Sequence, residues 1–191
     1  ALLRDVGDMR DLVTDLLESE RLGQGHAALH LESVDLPALV AEMVDSLAVN
    51  AAQGLAVGVA VDAQTELPVL QLDRIRMRLL LRNLLDNALR HNAEADQEPR
   101  LTLRHDLDGN GAWVCLTVRD FGPGVAASAL PHLAEPFYRP DTARGRTAGG
   151  VGLGLYLCKL VAQAHGGSLE IANAQPGLEV TVRLPVRSAG P

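Results

Sequence analysis

Four glycines stand within the six residues 149–154, in the run Gly149-Gly150-Val151-Gly152-Leu153-Gly154-Leu155. An apolar stretch with helical spacing, Leu155 to Val161, follows at once. Glycine lets a backbone approach a ligand with no side chain in the way. A helix starting there aims its free N–H groups and its positive dipole end at the loop, and the natural ligand is a phosphate. Glycine runs also serve as plain turns, so the run gains meaning only with the segments upstream. Asn83 and Asn87 are four apart in a helix-patterned stretch and share one face. Asparagine is a poor residue inside a helix, because its amide competes for backbone hydrogen bonds. A carboxamide oxygen suits Mg²⁺, which takes few protein ligands and keeps waters and phosphate oxygens. Arg90 and His91 follow within a turn and could reach phosphates; a solvated polar stripe is the plainer alternative. Asp120-Phe121-Gly122-Pro123-Gly124 sets a carboxylate at a strand end beside two glycines. It could accept a hydrogen bond from an amine while the flat backbone packs on a ring, or it could be a tight turn. Glu135-Pro136-Phe137-Tyr138-Arg139-Pro140 joins two aromatics to a cation in a chain with 3% aromatics. Phe137 and Tyr138 could anchor a loop whose Arg139 meets a terminal phosphate.

These groups need elements to hold them. Residues 1–22 read as one amphipathic helix with Leu2, Val6, Met9, Val13 and Leu16 in a heptad seam, widened by Leu3, Leu12 and Leu17. A helix of about 30 Å is marginal alone, and the stripe favours self-association in a bundle over packing on its own domain. Gly23-Gln24-Gly25 breaks it, which makes 23–28 a linker and 29–188 the main domain. Within that domain the pattern predicts a strand over 29–34, a helix capped by Asp35 and running to about Ala52, and strands over 55–61 and 69–72. Asp73 caps the strongest helix, Arg74 to about Asn92, with Leu81, Leu84, Leu85, Ala88 and Leu89 buried. Strands over 100–107 and 113–119 flank the turn Asp108-Gly109-Asn110-Gly111. A loop-rich segment follows, with a lid over about 125–149, then a helix over 151–164 and strands over 168–172 and 178–184. Hairpin-like pairs and segregated helices indicate an α+β two-layer sandwich, mostly antiparallel, not a doubly wound sheet. No Lys-Ser/Thr follows the glycines, so neither the Walker nor the Rossmann pattern applies.

The chain has 191 residues, 47% of them hydrophobic, enough for a real core. A net charge of -7 argues against general nucleic-acid binding. Cys115 and Cys158 lie in apolar patterns and read as buried, reduced thiols. No run reaches membrane-spanning length.

Together, the segments resemble the catalytic, ATP-binding region of bacterial sensor histidine kinases, within the superfamily shared with gyrase, the large heat-shock chaperone and mismatch-repair ATPases. Residues 83–91 resemble its N box, 120–124 its first glycine box, 135–139 its F box and 150–155 its second glycine box; His165-Gly166-Gly167 continues the match. The resemblance covers about residues 30–185 and implies the Bergerat-type sandwich. It implies that Asp120 binds the adenine amino group, with Gly122 and Gly124 beside it. Asn87 would coordinate Mg²⁺ with Asn83 alongside, and Arg90 and His91 would contact phosphates. Arg139 would meet the γ-phosphate, next to Tyr138. Gly150, Gly152, Leu153, Gly154 and Leu155 would cradle the triphosphate of ATP. Residues 1–22 resemble the end of the second helix of the dimerisation and histidine-phosphotransfer bundle. The implied reaction passes the γ-phosphoryl of Mg-ATP to a histidine on that bundle and on to a response-regulator aspartate, in a homodimer whose parent is anchored in the bacterial inner membrane with this domain in the cytoplasm. The phosphoacceptor histidine is not found: His26 and His30 follow the helix break, and His105-Asp106 lies in a strand pattern. The chain is therefore expected to bind ATP without phosphorylating itself. An ATPase that drives conformational work is the alternative, although those relatives carry a glutamate base where this chain has Asn83, and an amide takes no proton at neutral pH. A nucleotide-binding scaffold without activity is the third reading.

Overall fold

The computed structural model describes residues 13–14, 16–23, 28–51, 59–64, 66–109, 111–140 and 151–187, the side chains of 48–51 excepted. Residues 13, 14 and 16–23 are helical (α1). Then follow β1 (Leu31–Val34), α2 (Leu36–Ala51), β2 (Ala60–Ala63), β3 (Leu70–Asp73), α3 (Arg74–His91), β4 (Arg100–Asp108), β5 (Gly111–Arg119), a single 3-10 turn at Leu130–His132, α4 (Gly154–Ala164), β6 (Ser168–Asn173) and β7 (Leu178–Pro185).

Alternation decides the two layers. In β7 every second residue from Leu178 to Leu184 is buried, and the residues between are half-buried. β5 repeats the pattern with Val114, Leu116 and Val118 inside, and β4 adds Leu101 and Leu103. This face meets Met77, Leu80, Leu81, Leu84, Leu85 and Ala88 of α3, and Cys158, Val161 and Ala162 of α4, in one core that also takes Leu36, Leu39 and Val40 of α2. Each fully buried leucine contributes about 1.5–3 kcal/mol, which offsets the scarcity of aromatics. The sheet runs β2-β4-β5-β7-β6; only the β2–β4 pair is parallel. β1 and β3 form a separate antiparallel pair. The other face of the large sheet is polar: Thr117 and Thr181 hydroxyls meet at 3.0 Å, and Arg183 lies over Trp113 while bonding Asp108 at 2.6 Å. The fold is the expected mixed α+β sandwich.

Local signals hold where they are strong. The Asp35 carboxylate accepts from Ala38 N at 3.0 Å, and that of Asp73 from Arg76 N at 3.1 Å, so both predicted caps form. Four details differ. The strand expected over 55–61 is observed at Ala60–Ala63, set by its parallel register with Arg100–Leu103, and 55–58 lie outside the described residues. The helix expected from Val151 begins at Gly154, because Gly152 takes φ +82°, outside helical space. Cys115 is half-buried on the polar sheet face, and only Cys158 is buried. Leu89 is half-buried on α3. On α1, Val13, Leu16 and Leu17 are exposed, whereas Ser19 and Leu22 are buried against the domain. Glu18 lies 3.7 Å from Arg76 of α3. The earlier seam positions Leu2, Leu3, Val6, Met9 and Leu12 lie outside the described residues, as do residues 141–149 of the lid expected over about 125–149, and Gly150.

Candidate nucleotide site

Helix α3 is the rail of the site. Asn83, Asn87 and His91 succeed one another at four-residue steps, and each step is about 6 Å along the axis. Asn83 is half-buried and its Nδ2 donates to Leu79 O at 3.0 Å, which satisfies the carbonyl of the previous turn. Its Oδ1 faces the start of α4, 3.0 Å from where a Cβ on Gly154 would stand. At the other end, a Cβ on Gly122 would stand 2.2 Å from His91 O, so the Asp120 loop lies backbone-to-backbone on the end of α3. Asn87 sits between these two contacts, half-buried, and its amide takes no hydrogen bond among the described residues. The start of α4, Asn87 and the Asp120 loop thus lie in sequence over about 12 Å of helix, the length scale of a nucleotide.

Asp120 is 3% exposed. Its Oδ1 accepts from Gly122 N at 3.0 Å and from Leu178 N at 3.2 Å, so among the described residues Oδ2 remains for a donor from outside the chain. Burial pushes its carboxyl above the usual aspartate value, against those two backbone bonds and the charges of His91 and Arg119. The His91 imidazole is held below its ordinary value, by desolvation first, with Arg90 adding to the shift and Asp120 opposing it. His91 and Arg90 are both exposed at the helix end.

Helix α4 supplies the opposite pole. Leu153 is its N-cap, without a side-chain bond to the first turn, and no acidic residue occupies that turn. The uncapped N–H groups keep their positive field. The Gly152 carbonyl accepts from Phe137 N at 2.9 Å, and a Cβ at 152 would stand 2.7 Å from Tyr138 O. The Phe137-Tyr138-Arg139 segment is therefore stitched to the entrance of α4. Phe137 is 59% exposed and Arg139 half-buried. His132 pairs with Glu135 at 3.0 Å and its ring lies 5.4 Å from that of Tyr138. Leu153 is buried and Leu155 half-buried, so neither offers its side chain freely; their backbones are what lie at the helix start. Among the described residues no cluster of three or more His, Cys, Asp or Glu could hold a metal.

The family model of the histidine kinase-, DNA gyrase B- and HSP90-like ATPases matches residues 72–188. The chain belongs to that family. Within it, the chain is similar to bacterial sensor proteins. It is 36% identical over 166 residues to the alginate biosynthesis sensor protein KinB of Pseudomonas aeruginosa, covering 87% of this chain and 26% of that protein. It is 38% identical over 194 residues to the sensor protein SphS of Synechococcus elongatus, covering 96% and 45%. A crystal structure of full-length ShkA in complex with AMPPNP matches with a TM-score of 0.77 and 28% identity, over 100% of this chain and 38% of that one. The chain thus spans less than half the length of these relatives. It is an ATP-binding domain of the histidine-kinase type. Among the described residues no helix is long and apolar enough to cross a membrane.

The sequence reading did not single out Asn92, Asn173 or Gly177. Asn92 Oδ1 accepts from Phe121 N at 2.7 Å, and Asn173 holds both backbone groups of Val125. Gly177 (φ +90°) lies against Asp120, where a Cβ would stand 1.8 Å from the Asp120 carbonyl oxygen. A glycine two residues after Gln175 in a strand-to-strand turn carries a weak local signal; the two asparagines carry none, because their partners are 29 and 48 residues away.

Proposed function

We propose that this chain is the catalytic ATP-binding domain of a sensor histidine kinase, and that it passes the γ-phosphoryl of Mg-ATP to a histidine on a dimerisation helix, for relay to a response-regulator aspartate. What supports the reading is the buried Asp120, whose Oδ1 alone is engaged by backbone among the described residues, at the C-terminal end of α3, and the uncapped start of α4 beside Asn83 about 12 Å back along the same helix. Adenine's amino group would donate to Asp120 Oδ2, and the phosphates would lie on the N–H groups of residues 152–155. Asn87 would hold Mg²⁺, with phosphate oxygens and water completing its shell; its amide oxygen fits a hard cation, which would neutralise phosphate charge. Asn83, Arg90, His91 and Tyr138 would flank the phosphates, and Arg139 would meet the γ-phosphate. In the transfer, the bond from the γ-phosphorus to the bridging oxygen breaks, a phosphorus–nitrogen bond to the imidazole forms, and ADP leaves. The chain's part is positioning and charge. Residue 83 is an amide and cannot deprotonate water, so hydrolysis is expected to be feeble. Residues 1–22 would belong to the second helix of the bundle of a homodimer, 23–28 to a linker, 29–188 to the catalytic domain with its lid over about 125–149, and the parent to the inner membrane.

Calorimetry with a non-hydrolysable ATP analogue tests this, with and without Mg²⁺, on the wild type and on Asp120→Asn and Asn87→Ala. Micromolar binding that Asp120→Asn abolishes, with the Mg²⁺ dependence removed by Asn87→Ala, is the expected result. Equal binding by all three chains, or none by the wild type, would leave a scaffold without this site.

A further inference from the structure

The Asp120 carboxylate can read a base only if the segment bearing it is held still, and that segment contains two glycines and a proline. Its two ends are each held by an asparagine from a different element. Asn92, the C-cap of α3, accepts from Phe121 N with Oδ1 at 2.7 Å and donates from Nδ2 to Gln97 O at 2.6 Å. Asn173, the last residue of β6, accepts from Val125 N at 3.0 Å and donates to Val125 O at 2.8 Å. Each amide uses its acceptor and its donor on backbone, a combination that Asp cannot reproduce and that Ser is too short to span. The loop is shaped to admit them: at Gly124 (φ +68°) a Cβ would stand 2.8 Å from Asn173 Oδ1. Arg119 binds the same parts together, lying 4.7 Å from the Phe121 ring while donating to Ala174 O at 2.9 Å.

We infer that Asn92 and Asn173 are positioning residues that clamp the two ends of the Asp120–Val125 segment and thereby set the site's preference for adenine over guanine. The inference rests on reading Asp120 as the base-recognising group. At the purine 6-position adenine presents an amine donor and guanine a carbonyl acceptor. A carboxylate held in one direction accepts from the first and repels the second. A carboxylate free to tilt can instead take guanine's N1 and N2 donors. Because Asn92 caps the helix that bears Asn87, it also ties the base end of the site to the phosphate end in one rigid piece.

The test compares the full 191-residue chain with Asn92→Ala and Asn173→Ala, measuring affinity for ADP, GDP and inorganic tripolyphosphate with Mg²⁺, together with each melting temperature. Loss of a clamping bond is expected to lower the ADP-to-GDP affinity ratio about tenfold while tripolyphosphate binding stays unchanged. An unchanged ratio overturns the inference whatever happens to the melting temperature. So does an equal loss for ADP and tripolyphosphate, which is general loosening. If Asn173→Ala does not fold, Asn173→Asp serves, since it keeps the acceptor for Val125 N and loses the donor for Val125 O. A wild type that binds tripolyphosphate but shows no preference for ADP over GDP overturns the reading of Asp120 itself, a result distinct from failure of the clamp.

Discussion

Replacing His165 tests how the two helices of the site are joined. His165 follows the last residue of α4 and is 1% exposed. Its Nδ1 lies 2.8 Å from Val161 O and its Nε2 accepts from Asp73 N at 3.0 Å. A carbonyl on one nitrogen and an N–H on the other leave a single tautomer, neutral with the proton on Nδ1. Asp73 in turn caps α3 and accepts from His30 N at 3.1 Å. His165→Ala would leave the buried Asp73 N–H without an acceptor, worth about 1–3 kcal/mol. The emptied ring volume adds about 2 kcal/mol. Val161 O stays satisfied, because it also accepts from His165 N at 3.2 Å. The sum, about 3–5 kcal/mol, corresponds to a melting temperature lower by about 6–20 °C for a domain of this size. His165→Gln can keep an acceptor near Asp73 N and should lose less. Urea and thermal unfolding followed by circular dichroism measure both. A loss under about 1 kcal/mol for alanine, or glutamine faring no better than alanine, would refute the bridging role.

The same ring carries a pH signature. Burial first, then the charges of Arg187 and Arg76, hold the His165 imidazole below its ordinary 6.5, against the Val161 bond and Asp73. The unfolded chain therefore takes up a proton before the folded one does. The stability held by neutral His165 is complete above about pH 6.5 and is lost as pH falls below it toward the lowered folded value. His165→Gln should flatten part of that slope, and His91, whose value is also lowered, contributes to what is left. A slope identical in wild type and variant would count against the assignment.

Three further outcomes are expected. Affinity for the ATP analogue should fall in acid with a midpoint above the ordinary aspartate value of 3.8, because burial raises Asp120; calorimetry at several pH values on folded protein checks this, and an affinity that stays level down to that value would contradict it. Gly177→Ala should destabilise by about 2–5 kcal/mol, since the new Cβ meets the Asp120 carbonyl oxygen at a positive φ; a loss under about 1 kcal/mol in urea unfolding would contradict the close approach. Incubation of the 191-residue chain with labelled ATP and Mg²⁺ should yield no stoichiometric acid-labile phosphohistidine, and its appearance would show an acceptor among the chain's own histidines.

Features set by neighbours in the chain were legible from the residues alone. The Asp73 cap, the apolar face of α3, the four-residue spacing of Asn83 and Asn87, and the alternation in β4, β5 and β7 are all local, and local geometry follows from steric and hydrogen-bonding preferences within a turn or a pleat. The four boxes were legible for the same reason, since each is a short run whose residues act together. Tertiary structure decided what depends on distant partners. The parallel pairing with β4 moved β2 to 60–63, because register belongs to a pair of strands and not to one. The polar face of the sheet left Cys115 half-buried, although its own neighbours are apolar. Asn92 and Asn173 look like ordinary turn residues until the loop at 121–125 is brought against them. His165 meets Asp73 across 92 residues of chain, and only that meeting turns a histidine at a helix end into a neutral buried bridge. Backbone groups in a buried segment must find partners somewhere; which side chain supplies them is fixed only when the whole chain has closed around the site.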